Sequence, residues 1–149
     1  MALTAEVDAN ITTDMGSKAM RGVRQYLRDG AERGHAEAVD RAPVDRGTLQ
    51  RAVAEFMPTW DGDTLKWGVR DIPYAKPMEF GTGPYYPPVQ PLLDWGQRVA
   101  GDEGLGWYVA RVKIPEEGIT AQPYICPGRD AQTKWYRSHS AREYIRREL

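Results

Sequence analysis

Few side chains in this 149-residue sequence are of the kinds that make or break bonds, and their spacing limits what each can do. There are two histidines, His35 and His139. Neither has a second good ligand within helical or loop spacing, so no metal site is expected. His139 lies between Ser138 and Ser140, which invites a serine hydrolase reading. Sequence neighbours do not face each other on a helix, however, and no strained elbow surrounds the pair. His35 falls late in a polar helical stretch and is expected to be exposed. Asp102 with Glu103, and Glu116 with Glu117, stand in loop-like surroundings where solvated carboxylates are far commoner than general acids. Gly81-Thr82-Gly83 lacks the frame of a phosphate loop and reads as a turn. Cys126 is the only cysteine, and its Pro-flanked segment points to a packed thiol. Arg137, Arg142, Arg146 and Arg147 could touch phosphates, but Glu143 and Glu148 interleave with them, so a solvated helix face is the preferred reading. No catalytic, cofactor-binding or metal-ligating residue is nominated.

The composition bounds the rest. A hydrophobic share of 41% with five Trp and eight Tyr is that of a folded chain, and a chain of this length buries about 70% of the surface its unfolded form exposes. Twenty basic against twenty-one acidic residues leave a net charge of −1, which gives no global field toward nucleic acid or an anionic membrane. No window reaches the ~18 apolar residues of a membrane span, and no basic stretch precedes an apolar run at the N-terminus, so the protein is expected to be made and kept in the cytoplasm.

The elements that would position these residues follow from periodicity. Val7, Ile11, Met15, Ala19, Val23, Leu27 and Ala31, widened by Met20 and Tyr26, predict one long amphipathic helix ending near Arg41. Gly16, Gly22, Gly30 and Gly34 weaken it by about 1 kcal/mol each, so it needs packing, and they permit close approach of a neighbour. Pro43-Val44-Asp45-Arg46-Gly47 is turn chemistry. Thr48 to Trp60 is expected to lead into strands, with Ala52, Ala54, Phe56 and Trp60 on one face. Asp61-Gly62-Asp63 then turns a hairpin into Leu65, Trp67 and Val69. Tyr74 to Phe80 fits either a short helix or a strand, because Pro77 opposes the middle of both. Gly81 to Pro91 is an extended, proline-rich loop. Short helices are expected from Leu92 to Gly101 and from Gly106 to Lys113, the second with Trp107, Ala110 and Val112 as its apolar positions and limited by Pro115. Ile119 to Cys126 is expected to be extended between Pro123 and Pro127, and Asp130 to Leu149 returns to helical spacing.

The order of these signals carries more than any one of them: long helix, Ala42 to Leu49, hairpin, Tyr74-Ala75 with Glu79-Phe80-Gly81-Thr82, proline-rich loop, and Gly118 to Pro127. Over almost the whole chain this resembles the tail-completion family of long-tailed double-stranded-DNA phages, the gene-product-ten-like tail components. Pro77 and Pro115 are departures from it. The resemblance implies one α+β domain over 1–149, with the long N-terminal helix packed on an antiparallel β-sheet, short helices and a C-terminal helix. It implies a virion structural protein rather than an enzyme: a homo-oligomeric ring, expected to be six-fold, at the head-proximal end of the tail. That ring would join the tail tube or tail terminator to the head-closure connector, with DNA passing through it without specific recognition and no membrane contact. It would be assembled in the host cytoplasm. A tail terminator or head-closure protein of the same neck, or a small nucleic-acid-binding protein, are the alternatives. The assembly motif carried over is Pro43, Val44, Asp45 and Gly47, then Tyr74, Glu79, Phe80, Gly81 and Thr82, then Tyr85, Tyr86, Pro123 and Tyr124. Within it, Gly81 is expected to hold a backbone conformation reserved for glycine, Glu79 to be partnered, and the two tyrosines to meet another subunit.

Overall fold

The computed structural model describes residues 2–8 and 16–149. The chain divides into two compact units, Met1–Ala75 with Pro123–Leu149, and Lys76–Gln122. The fold is mixed α+β, with a long N-terminal helix and a small antiparallel sheet.

The first unit begins with a strand where a helix was expected. Leu3, Ala5 and Val7 alternate with polar neighbours at period two, and this stretch forms β1 (Leu3–Asp8). Val7 therefore does not belong to the first helix, and Ile11 and Met15 lie outside the described residues. The long helix α1 spans Ser17–Arg41 and ends, as expected, before Pro43. Its deepest residues are Gly22, Gly30, Ala31, Gly34 and Ala38, while Ala19, Val23 and Leu27 are only half-buried. Small residues, more than large ones, mark its packed face.

After the turn, Thr48–Glu55 is helix α2 and not a strand approach. Leu, Gln, Arg, Ala and Glu favour helix here, Leu49 and Val53 are buried one turn apart, and Gly47 opens the helix from a left-handed conformation at φ 76°. The hairpin is as expected: β2 (Thr59–Asp61) and β3 (Thr64–Val69) pair antiparallel. β3 is central, with β1 on its other side in a register that sets Ala5 opposite Trp67 and Val7 opposite Leu65.

The last two helices are α7 (Ile125–Ser138) and α8 (Ala141–Glu148). Ile119 to Cys126 is thus extended only in its first part, because Ile125, Cys126 and Pro127 already form the first turn of α7, where proline's missing N–H costs nothing. Leu149 is exposed rather than packed. Both helices lie on α1 in antiparallel sense: Gly34 faces Gly128, Gly30 lies under the Tyr136 ring, and Gly22 faces Ile145.

Trp67 occupies the junction of β3, α1 and α7 and is completely buried. Its indole N–H donates to Gln132 Oε1 at 2.8 Å. Gln132 in turn donates through Nε2 to Tyr136 Oη at 3.2 Å, and Tyr136 donates to the Leu27 carbonyl at 2.6 Å. Burial pushes the Tyr136 hydroxyl up to about 12. Tyr26, Trp135, Tyr136 and Tyr144 cluster beside this chain with ring centroids 5.2 to 6.3 Å apart. Tyr26 is raised by burial, and Tyr144 by its hydrogen bond to Asp29. His35, expected to be exposed, is half-buried; it bonds the Val53 carbonyl at 2.7 Å and so ties α1 to α2.

In the second unit, the stretch left open between helix and strand is a helix. It is α3 (Ala75–Phe80), whose start belongs to the first unit; Pro77 sits in its first turn, where it is tolerated. α4 (Gln90–Ala100) ends at Gly101 as expected. Asp102 is not a loop carboxylate but the cap of α5 (Glu103–Tyr108), accepting from the Gly104 N–H at 2.8 Å. The helix then widens to a π segment over Val109–Lys113 and continues as α6 (Ile114–Glu117). Pro115 therefore does not stop it. The wider turn resets the hydrogen-bond ladder just where proline has no N–H to give.

Two outcomes are expected. A Cβ at position 34 would lie 2.7 Å from the Gly128 carbonyl oxygen, so Gly34→Ala should lose about 1–3 kcal/mol in urea unfolding by forcing α1 and α7 apart. Raised tyrosine pKa values mean that the folded state holds those protons more tightly than the unfolded one. The stability they contribute is complete below about pH 10 and is lost as pH rises through about 12. Melting temperatures measured from pH 9 to 12 should fall across that window, and less steeply in Tyr136→Phe.

Candidate assembly surface

The Gly-Thr step that follows α3 has a specific local job. Gly81 closes the helix with a bond from its N–H to the Pro77 carbonyl at 2.8 Å, at φ 71°, a left-handed conformation that side chains disfavour. A Cβ there would also sit 2.7 Å from the Ile119 carbonyl oxygen. Thr82 then grips Ile119 twice: its N–H donates to the Ile119 carbonyl at 2.9 Å, and its Oγ1 accepts from the Ile119 N–H at 3.0 Å. Alongside, the Gln122 N–H donates to the Met78 carbonyl at 2.7 Å. These bonds join the end of α3 to the Gly118–Gln122 segment and anchor the start of the proline-rich loop.

Beyond that anchor the loop displays its aromatic residues. Pro87 is buried, whereas Tyr85 and Tyr86 are 40% and 75% exposed. The Arg111 guanidinium lies 3.5 Å from the Pro87 carbonyl, which places the π segment beside the loop. One turn before Arg111, Trp107 and Tyr108 are both more than half exposed, although Trp107 was expected on the apolar side. The buried side of this helix is instead made of Gly106 and Ala110, with Gly106 against Gly96 of α4. Small residues let the helices close on each other and leave the large rings facing outward. The spacing Gly106-x-x-x-Ala110 was the available signal for this. Phe80, at the end of α3, is exposed as well.

The remaining motif residues are distributed differently. Glu79 is buried and partnered, as expected. Pro43, Val44, Asp45 and Gly47 form the exposed to half-buried turn between α1 and α2. Tyr124 is fully buried and donates to the Ala75 carbonyl at 3.0 Å, so its place is in the packing of the first unit. Pro123 beside it and Tyr74 are exposed.

Ser138 and His139 do meet, contrary to the helical argument, because α7 ends between them. Ser138 Oγ is 3.0 Å from His139 Nδ1. Both atoms also reach the Trp135 carbonyl, at 3.0 and 2.9 Å, and the imidazole stacks on the Trp135 ring at 4.1 Å. That carbonyl attracts the protons of both groups, which closes the helix end and does not prepare a nucleophile. Cys126 is half-buried in the first turn of α7. Among the described residues no group of three His, Cys, Asp or Glu is placed to hold a metal ion, and no helix is long and apolar enough to cross a membrane.

Compared with family models, with curated proteins and with solved structures, the chain matches none.

Gly81→Val should release the start of the loop while leaving the first unit folded. Hydrogen exchange at the Thr82 and Ile119 amides should speed up at least tenfold, with protection across α1 and α7 unchanged.

Proposed function

We propose that this chain is a structural protein of a tailed-virus neck, a tail-completion subunit that assembles into a ring and joins the tail tube to the head-side connector. The order of sequence signals supports the family reading. The observation that carries an assembly role is the aromatic surface of the second unit: Tyr85, Tyr86, Trp107 and Tyr108 stand exposed on a stiff loop and an adjoining helix. Tyr, Trp and Arg dominate interface hot spots because they bring large contact area at low conformational cost. Prolines on either side of the tyrosines lower the ordering cost further. Large rings held outward serve adhesion between molecules better than the stability of one molecule. A ring follows when such a patch meets a different patch on the next copy and the rotation closes.

The test is replacement of Tyr85 and Tyr86 together by Ala, followed by sedimentation velocity and joining of purified tails to heads. The melting temperature is expected to stay within a few degrees of the parent, since both rings are exposed, while ring formation or joining drops at least tenfold. Rings that form and join unchanged, or a domain that unfolds, would defeat the reading.

A further inference from the structure

The outward side of α7 and α8 is a cationic stripe. Arg129, Lys134 and Arg137 on α7, and Arg142, Arg146 and Arg147 on α8, are all exposed. At 100° per residue the three on each helix fall within one arc of about 140°, opposite the positions that pack on α1. Gly34, Gly30 and Gly22 of α1 meet Gly128, Tyr136 and Ile145 in turn, so α7 and α8 lie one after the other along α1, each with its packed side toward α1 and its cationic arc away from it. Together the two helices are about 30 Å long at the helical rise. Asp130 and Glu143 are the only carboxylates on this arc, an excess of four positive charges in a chain whose net charge is −1. Glu148 points inward instead and pairs with Arg21 at 3.1 Å. Among the described residues none of the six cations makes an ion pair.

We propose that this stripe binds the phosphate backbone of a duplex nucleic acid without reading its sequence. A protein partner fits it poorly, because protein interfaces have cores depleted of charge and enriched in apolar side chains, and the arc carries charge without large apolar residues. Five of the six cations are arginines, whose planar fork matches phosphate oxygens. A row of cations along two successive helices also matches a polymer that presents a charge every ~1.7 Å along its axis. The stripe lies on the first unit and the aromatic surface on the second, so either proposal can fail alone.

The experiment measures anisotropy of a labelled duplex of arbitrary sequence, roughly 30 base pairs long, titrated with the full chain at several salt concentrations. Neutralising about five phosphates should make affinity fall by about 10²- to 10³-fold between 50 and 200 mM salt. Replacing Arg137, Arg142 and Arg146 by Gln should make the logarithmic salt slope shallower by roughly 2 to 3. Arg129→Gln with Lys134→Gln, confined to α7, should make it shallower by about 2, which keeps the test decisive if the triple variant does not fold. No binding at 50 mM salt, or a slope unchanged in folded variants, overturns the inference. So does displacement of the duplex by poly-glutamate at equal charge, the result an acidic protein partner would give.

Discussion

A buried indole N–H must have an acceptor, and in this protein that requirement falls on Trp67, with Gln132 supplying it. An unpaired donor at a fully buried position would cost about 1–3 kcal/mol, and a side chain on a helix more than sixty residues away in sequence meets it at 2.8 Å. The pairing fixes the rotation of α7 about its axis, because Gln132 must face the sheet. With that rotation set, Gly128 comes against Gly34, and Tyr136, one turn beyond Gln132, falls over Gly30, where its hydroxyl reaches the Leu27 carbonyl. Sheet, first helix and C-terminal helices are thus joined through one chain of polar bonds inside an otherwise apolar contact. Such networks specify one arrangement strongly when every member is satisfied, and no buried side-chain polar atom among the described residues lacks a partner.

The glycines of α1 have a cost that this arrangement explains. Each lowers intrinsic helix stability, yet three of them lie where a side chain would strike α7 or α8. Close helix contact increases dispersion and excludes water over the whole length of the pair. The aromatic residues Tyr26, Trp135, Tyr136 and Tyr144 then fill the space beside the glycine stripe, so small residues on one helix and large rings on the others complement each other. The same device recurs in the second unit, where Gly96 meets Gly106, but there the rings turn outward. That difference in direction separates a core from a surface available for adhesion, and it is the physical basis on which an assembly role is proposed.

The two proposals rest on different physics. Aromatic adhesion is governed by burial of rings and is little affected by salt, whereas a phosphate contact through α7 and α8 depends on counterion release and weakens steeply with it. A neck component that both assembles and lies beside passing DNA would use the two independently. The π segment adds a local feature: it keeps α5 and α6 in one helical run past Pro115 and sets Arg111 toward the loop.

Much of this was legible in the residues. Period-two alternation at Leu65, Trp67 and Val69 with an Asp-Gly turn before it determines the hairpin, Pro43 determines the end of α1, and Gly101 that of α4, because each is a local stereochemical constraint that few tertiary contacts can override. The conformation of Gly81 was likewise a local matter. What only the tertiary structure decided has a non-local cause. Thr48 to Glu55 had β-formers close behind it, and its helix is settled by Leu49 and Val53 packing inward. The stretch from Leu3 to Asp8 became a strand because β3 offered it an edge. Trp107 faces outward because Gly106 must meet Gly96, and His35 is held because α2 brings the Val53 carbonyl within reach. Turns and chain ends of elements are properties of a few adjacent residues, and these the sequence determined; the direction in which a side chain points depends on which surface arrives to cover it, and that was decided only when the elements packed.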